Sequence, residues 1–257
     1  GLDFIPVDVA SAQGIAVVNT PGVNARSVAE ASIGLMLAGF RRLALKDRMI
    51  REGQWQDLRQ AAFQEREISG MKLGLVGYGA IAREIARIAH FGFDMEVSAV
   101  SRSMRKDTAI ARVASLDDIL RLSDVVVLAC PLTDETRGLI DAAALARMKC
   151  GSGLINIARG PVIDEAALVA ALRSDHLAFA ALDVFDQQPP RASSPLFEMQ
   201  NVVMSPHTAG ITREAMRRMS DLSVDEAMRV LRMERPANLV NAEAWGRITA
   251  RWQETQG

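Results

Sequence analysis

The chain is poor in cysteine, almost neutral and without a long apolar run, and each shortage removes a class of protein. Cys130 and Cys150 are the two cysteines in 257 residues. They are too few, and too far apart, for a disulfide framework or a metal-ligand set, so the sequence implies no metal and a reducing cytoplasm as the default compartment. A formal net charge of −1 leaves no basic footprint for nucleic acid or an anionic membrane surface. No apolar stretch approaches the roughly 20 residues of a membrane span. Gly1-Leu2-Asp3 lacks the basic start of a signal peptide. Internal repeats and low-complexity segments are absent too. The length suits one large domain or two small ones with a substantial core.

What the chain does have is a pattern at residues 71–103. Leu73, Leu75 and Val76 form a short apolar run that ends in Gly77-Tyr78-Gly79-Ala80-Ile81-Ala82. Ile81, Ile85, Ile88 and Ala89 then recur at helical spacing, and residues 95–100 read as a second strand. This is a βαβ unit with a G-x-G-x-x-A turn. Gly77 permits the tight turn, Gly79 lets backbone approach a pyrophosphate, and Ala82 allows close helix–strand packing. Ala80 and Ile81 would offer helix N-terminal N–H groups to the phosphates. The strand–turn–helix–strand context turns a weak motif into a dinucleotide-site prediction.

Before this unit, residues 15–18 read as a β-branched run closed by the turn Asn19-Thr20-Pro21-Gly22. Residues 25–45 read as a helix apolar over most of its circumference, buried in the core or against another subunit. The charged stretch 41–67 reads as an exposed arm, with Trp55 either packed locally or anchoring an interface. After the unit, helices are expected at 116–122, 141–148 and 165–173, the last capped by Asp164. Strands are expected at 124–129, 154–157, 179–184 and 202–204. Residues 213–233 read as a further helix and the tail beyond Arg235 as mixed. Apolar strands alternating with helices imply an α/β fold with a doubly wound parallel sheet of Rossmann type. Ligands gather at the carboxyl ends of such strands. The polar residues there are Ser101, Arg102, Cys130, Arg159, Asp183 and His207. His90, on a helix face, and His176, in a polar loop, read as structural.

The chain resembles the D-isomer-specific 2-hydroxyacid dehydrogenases in five motifs. These are Asn19-Thr20-Pro21-Gly22-Val23-Asn24 with Ser27-Val28-Ala29-Glu30, the stretch from Pro131-Leu132-Thr133 to Gly138-Leu139-Ile140, Asn156-Ile157-Ala158-Arg159-Gly160, Ala181-Leu182-Asp183-Val184-Phe185, and Pro206-His207-Thr208-Ala209-Gly210. The resemblance implies a catalytic Arg159 and a catalytic His207, and the chemistry agrees. A guanidinium can hold the carboxylate of a 2-keto acid and polarise its keto oxygen. An imidazole, with a reference pKa near ~6.5, can protonate that oxygen as hydride arrives. Asp183 resembles the carboxylate that accepts from the nicotinamide carboxamide. Gly77, Gly79, Ala80, Ile81, Ser101, Arg102, Ser103, Cys130, Pro131, Thr136, Ile157, Ala158 and Ala209 complete the expected cofactor-binding set. The implied partners are a small 2-keto or 2-hydroxy acid and a second copy of the chain, through the 25–45 helix and the arm.

Three departures from the family pattern shape the expectation. Gln188 stands where the family places a Glu beside the His, in Asp183-Val184-Phe185-Asp186-Gln187-Gln188-Pro189. An amide orients the ring but supplies little of the charge stabilisation of a carboxylate, so activity should be confined to lower pH than in Glu-bearing relatives. Asp186 is the alternative acid, and Gln at this position also resembles the formate dehydrogenase branch. The second departure is the end of the second strand, Val100-Ser101-Arg102-Ser103, which carries no carboxylate until Asp107. Hydroxyls and a guanidinium there favour a 2′-phosphate, hence NADP, with NAD possible; a charged hydrogen bond is worth about 1.5–3 kcal/mol. The third is length. The resemblance implies that residues 1–22 are the remnant of a flavodoxin-like substrate domain, 23–210 the dinucleotide-binding domain and 211–257 a C-terminal helix returning to the first. A fragment of a longer enzyme and a natural truncation fit equally. The leading expectation is a glyoxylate/hydroxypyruvate type of reductase. A phosphoglycerate dehydrogenase and a non-catalytic dinucleotide-binding scaffold or sensor are the alternatives.

Overall fold

A computed structural model describes residues 2, 5–102 and 106–256. The chain divides into two units, one comprising Gly1–Asn24 with Ile211–Gly257, the other Ala25–Gly210.

The larger unit is built on seven parallel strands: β1 (Lys72–Val76), β2 (Glu96–Val100), β3 (Ala111–Val113), β4 (Val125–Leu128), β5 (Ser152–Asn156), β6 (Leu177–Leu182) and β7 (Val202–Met204). Their spatial order is β3-β2-β1-β4-β5-β6-β7, so the winding reverses between β1 and β4, the crevice where such sheets take ligands. The period-two geometry of a strand explains its apolar runs. Val125 and Val127 of β4 join a core layer with Val28, Met36 and Ile85, while Val126 and Leu128 face Leu120, Leu145 and Leu168 on the other side. The first layer is covered by the helices Ala25–Phe40 and Ala80–Phe93, the second by Leu116–Leu122, Ala142–Arg147 and Glu165–Arg173. Ser115, Asp141 and Asp164 cap these last three, each accepting a backbone N–H three residues on.

The structure differs from the sequence expectation around the first helix of this unit and at one edge of the sheet. The helix expected to run to Leu45 ends at Phe40, because Arg42 takes a left-handed conformation (φ 47°) and starts a new helix, Leu43–Arg51. The arm is thus helical, continuing through Trp55–Ala61. The apolar breadth of Ala25–Phe40 is met by the first of the two expected outcomes, burial in the core against its own sheet and Ala80–Phe93. Ala111–Val113 is an additional, three-residue edge strand paired to β2.

In the smaller unit, residues 15–18 form no strand. Val18 makes an isolated antiparallel bridge to Leu239. The buried Asn241 side chain accepts from Val17 N–H and donates to the Ser11 hydroxyl and the Ile15 carbonyl. The C-terminal segment is two helices, Arg213–Leu231 and Trp245–Gln256, the second of which the sequence pattern missed. Among the described residues no helix is long and apolar enough to cross a membrane.

Candidate active site

The crevice between β1 and β4 is set by one glycine. Gly77 has φ 96°, and a Cβ there would lie 2.8 Å from the main chain of Ala129 and Cys130. Any side chain would push the two strand ends apart. The next glycine, Gly79, is the N-cap of Ala80–Phe93 and has nothing within 4 Å of where its Cβ would be. No side chain caps this 14-residue helix. Its first N–H groups, at Ala80 and Ile81, therefore suit the phosphates of a dinucleotide. Around the turn lies a groove of about 600 Å³ lined by Gly77, Gly79, Ser101, Arg102, Cys130 and Pro131, with Thr136 at its rim. These residues fit a dinucleotide.

The groove residues differ in what they do. Thr136 turns its hydroxyl inward, donating to Pro131 O at 2.7 Å and accepting from Thr133 N–H at 2.8 Å, and so staples the β4 loop. Cys130 is buried, and that burial pushes its thiol pKa up. Arg102 extends across the groove to Glu135 at 3.1 Å. Ser103 lies outside the described residues.

At the end of β5 the buried Asn156 holds the turn that carries Arg159. Its amide donates to Arg159 O at 2.9 Å and its carbonyl accepts from Ala158 N–H at 3.0 Å. Ile157 and Ala158 are buried within this turn. Gly160 follows because a Cβ there would meet the Phe185 and Asp186 main chain at 2.0–2.2 Å. The absence of a side chain lets the Arg159 turn lie against the segment after β6. Arg159 donates to Ala158 O at 2.7 Å.

The next strand end carries Asp183, 2% exposed. One carboxylate oxygen accepts from the Ser205 hydroxyl and from Thr208 N–H, the other from Ala209 N–H. Asp183 therefore clamps the loop that holds His207, whose own backbone is left-handed at φ 57°. The imidazole reaches back across the strand end, its Nδ1 2.8 Å from Gln188 Oε1. The other end of that amide donates to Phe185 O at 3.3 Å. This pins the amide so that its oxygen faces the ring and makes Nδ1 the donor, so that Nε2 is the acceptor nitrogen of the neutral ring. Asp186, the alternative acid, lines a separate groove with Arg137 and Arg191.

Arg159, Asp183 and His207 thus follow three consecutive strands at one edge of the sheet. His90 and His176 instead approach main-chain oxygens, Met95 O at 3.4 Å and Leu145 O at 3.0 Å, as structural histidines do. Asn156 and Ser205 escaped sequence reasoning as functional supports. The signal was there: each is polar at the end of an apolar strand.

Comparison with known proteins gives the family. Residues 33–209 match the family described as "D-isomer specific 2-hydroxyacid dehydrogenase, NAD binding domain". A glyoxylate reductase of Thermofilum pendens is 41% identical over 247 residues, covering 95% of this chain and 73% of the relative. A glyoxylate/hydroxypyruvate reductase B of Salmonella newport is 38% identical over 249 residues, covering 96% and 77%. The crystal structure of the TT0316 protein of Thermus thermophilus superposes with a TM-score of 0.87 at 35% identity, covering 93% and 76%. With more than half of its length matched by the family model, and with a relative 41% identical along 73% of that relative's length, the chain belongs to the D-isomer specific 2-hydroxyacid dehydrogenase family, oxidoreductases that use a nicotinamide dinucleotide.

Proposed function

We propose that this chain is an NADPH-preferring reductase of small 2-keto acids of the glyoxylate or hydroxypyruvate class. Arg159 binds the substrate, His207 is the acid/base and Gln188 is the group that orients it. The observation that carries the reading is the 2.8 Å contact between His207 Nδ1 and Gln188 Oε1. When bound, the nicotinamide supplies the hydride. Arg159 holds the substrate carboxylate and draws charge onto the keto oxygen. His207, protonated, gives its Nε2 proton to that oxygen and recovers it from bulk water. In the reverse direction the neutral Nε2 takes the proton from the hydroxyl. Gln188 keeps Nδ1 as a donor throughout, so the ring changes protonation at one nitrogen. The names of the relatives support the substrate class. The absence of a carboxylate at Ser101 and Arg102 supports the cofactor preference.

The test is NADPH and NADH oxidation with glyoxylate, hydroxypyruvate and pyruvate, measured in the wild type and in Arg102→Ala. Turnover of glyoxylate or hydroxypyruvate with NADPH preferred, and roughly 10-fold or more of that preference lost in Arg102→Ala, is expected. Unchanged discrimination rejects the cofactor assignment, and no turnover of any keto acid rejects the substrate class.

A homodimer belongs to the same proposal. It rests on the arm, where Phe63 is 88% and Trp55 56% exposed with Leu43 and Ile50 also outside, an apolar surface a second copy would cover. Sedimentation at micromolar concentration should give twice the chain mass, and a monomer would remove the point.

A further inference from the structure

The dinucleotide groove holds a carboxylate after all, on the wall opposite to the expected one. Members of the doubly wound class that accept from ribose hydroxyls carry the acid at the end of the second strand, where this chain has Ser101 and Arg102. Glu135 comes instead from the loop after β4 and lines the same groove. Its Oε2 accepts from Arg102 Nη1 at 3.1 Å, so the pair closes across the groove between the β2 and β4 sides. Both side chains are more than 70% exposed, so neither is needed for the core, and the ion pair is free to open. It is also weak, as exposed pairs are, worth at most about a fivefold change in an equilibrium.

We propose that Glu135 is a specificity-determining residue for the cofactor, a competitor that occupies the Arg102 guanidinium and must be displaced by a ribose 2′-phosphate. The inference rests on the NADPH reading above and adds a second residue to it. A 2′-phosphate brings roughly two negative charges. It gains Arg102 and loses to Glu135, whereas a 2′-hydroxyl is nearly indifferent to both. Glu135 therefore narrows the preference for NADPH over NADH that Arg102 creates.

The experiment measures dissociation constants by calorimetry on the full chain for NADPH, NADH, 2′,5′-ADP and 5′-AMP, which requires no turnover. The proteins are wild type, Glu135→Gln, Arg102→Ala and the double variant, at low and high salt. Glu135→Gln should tighten NADPH and 2′,5′-ADP by about three- to fivefold, leave NADH and 5′-AMP within about twofold, and lose most of the gain when Arg102 is also replaced. The gain should shrink with added salt. Unchanged NADPH affinity overturns the proposal, as does an equal gain in the Arg102→Ala background. A loss of NADH affinity in Glu135→Gln also overturns it, by making Glu135 the ribose acceptor. If Arg102→Ala weakens NADPH while Glu135→Gln is silent, the competitor falls and the NADPH reading stands. If Arg102→Ala has no effect on any of the four ligands, both fall together.

Discussion

Two buried aspartates sit at opposite edges of the same sheet, and their surroundings differ in kind. Asp124 opens β4 at the amino edge. It accepts from Lys72 N–H at 3.0 Å and Lys149 Nζ at 2.7 Å, with Arg66 at 3.4 Å. Burial alone would raise its pKa, but Lys149, the Lys72 amide and Arg66 outweigh it and hold the carboxyl below its ordinary 3.8. Asp183, at the carboxyl edge, is at least as buried, yet the partners of its carboxylate are a hydroxyl and two amides on the loop around His207. Cations at the amino edge neutralise a charge and tie strands together. At the carboxyl edge a hydroxyl and two backbone amides hold the Asp183 side chain against the loop that carries His207. One edge ties strands together, and the other fixes the loop on which the proposed acid/base stands.

Substitutions should separate the two edges. The largest effect is expected for Arg159→Ala and His207→Ala, each lowering kcat/KM by about 10²–10⁴-fold. Their melting temperatures should stay within about 2 °C of wild type, because neither side chain carries core packing. A comparable loss of stability would mean that these residues serve the fold. Next comes Asp183→Asn, which turns an acceptor into a donor facing N–H groups. About 1–3 kcal/mol of lost loop placement should appear as roughly 10–100-fold in kcat/KM, and substrate turnover at the wild-type rate would remove the clamp from the account.

Asp124→Asn should do the reverse. Activity should remain within about twofold, while stability falls by about 1–2 kcal/mol after allowing for the half-exposed cations, or roughly 2–8 °C. A depressed folded-state pKa stabilises above the unfolded value and is lost as pH falls through the folded one. The gap in melting temperature between wild type and Asp124→Asn should therefore be full at neutral pH and close below about 3.8. A gap independent of pH would show that the carboxylate charge is not what stabilises this edge.

The smallest change expected is in Gln188→Glu. A carboxylate against Nδ1 favours the protonated ring. Keto-acid reduction uses that form, so the limb where the rate falls with rising pH should move upward by roughly one unit. A profile that does not move would leave the amide with no role beyond packing.

Local features were legible in the sequence because neighbouring residues decide them. The caps Ser115, Asp141 and Asp164 and the period-two and 3.6-residue patterns located most strands and helices of the larger unit to within two residues. Gly77 could be read because a turn that tight admits few residue types, and Gly79 because it stands two residues on, at the start of the helix. The break at Arg42 could not, since a non-glycine residue in the left-handed region is held there by its surroundings rather than by its own preference. The edge strand Ala111–Val113 is too short, and Arg112 too polar, to leave a periodic trace. Trp245–Gln256 follows Asn241, whose buried amide joins segments more than 200 residues apart.

The order of apolar and polar residues along the chain was enough by itself to set a doubly wound sheet, a dinucleotide turn and an arginine and a histidine at strand ends, because each depends on spacing within about twenty residues. Tertiary structure alone decided that Asp183 clamps the histidine loop, that Gln188 rather than Asp186 meets the ring, and that Glu135 takes Arg102. Those pairings join side chains from separate strand ends and loops, and only the closed sheet brings them within hydrogen-bonding reach.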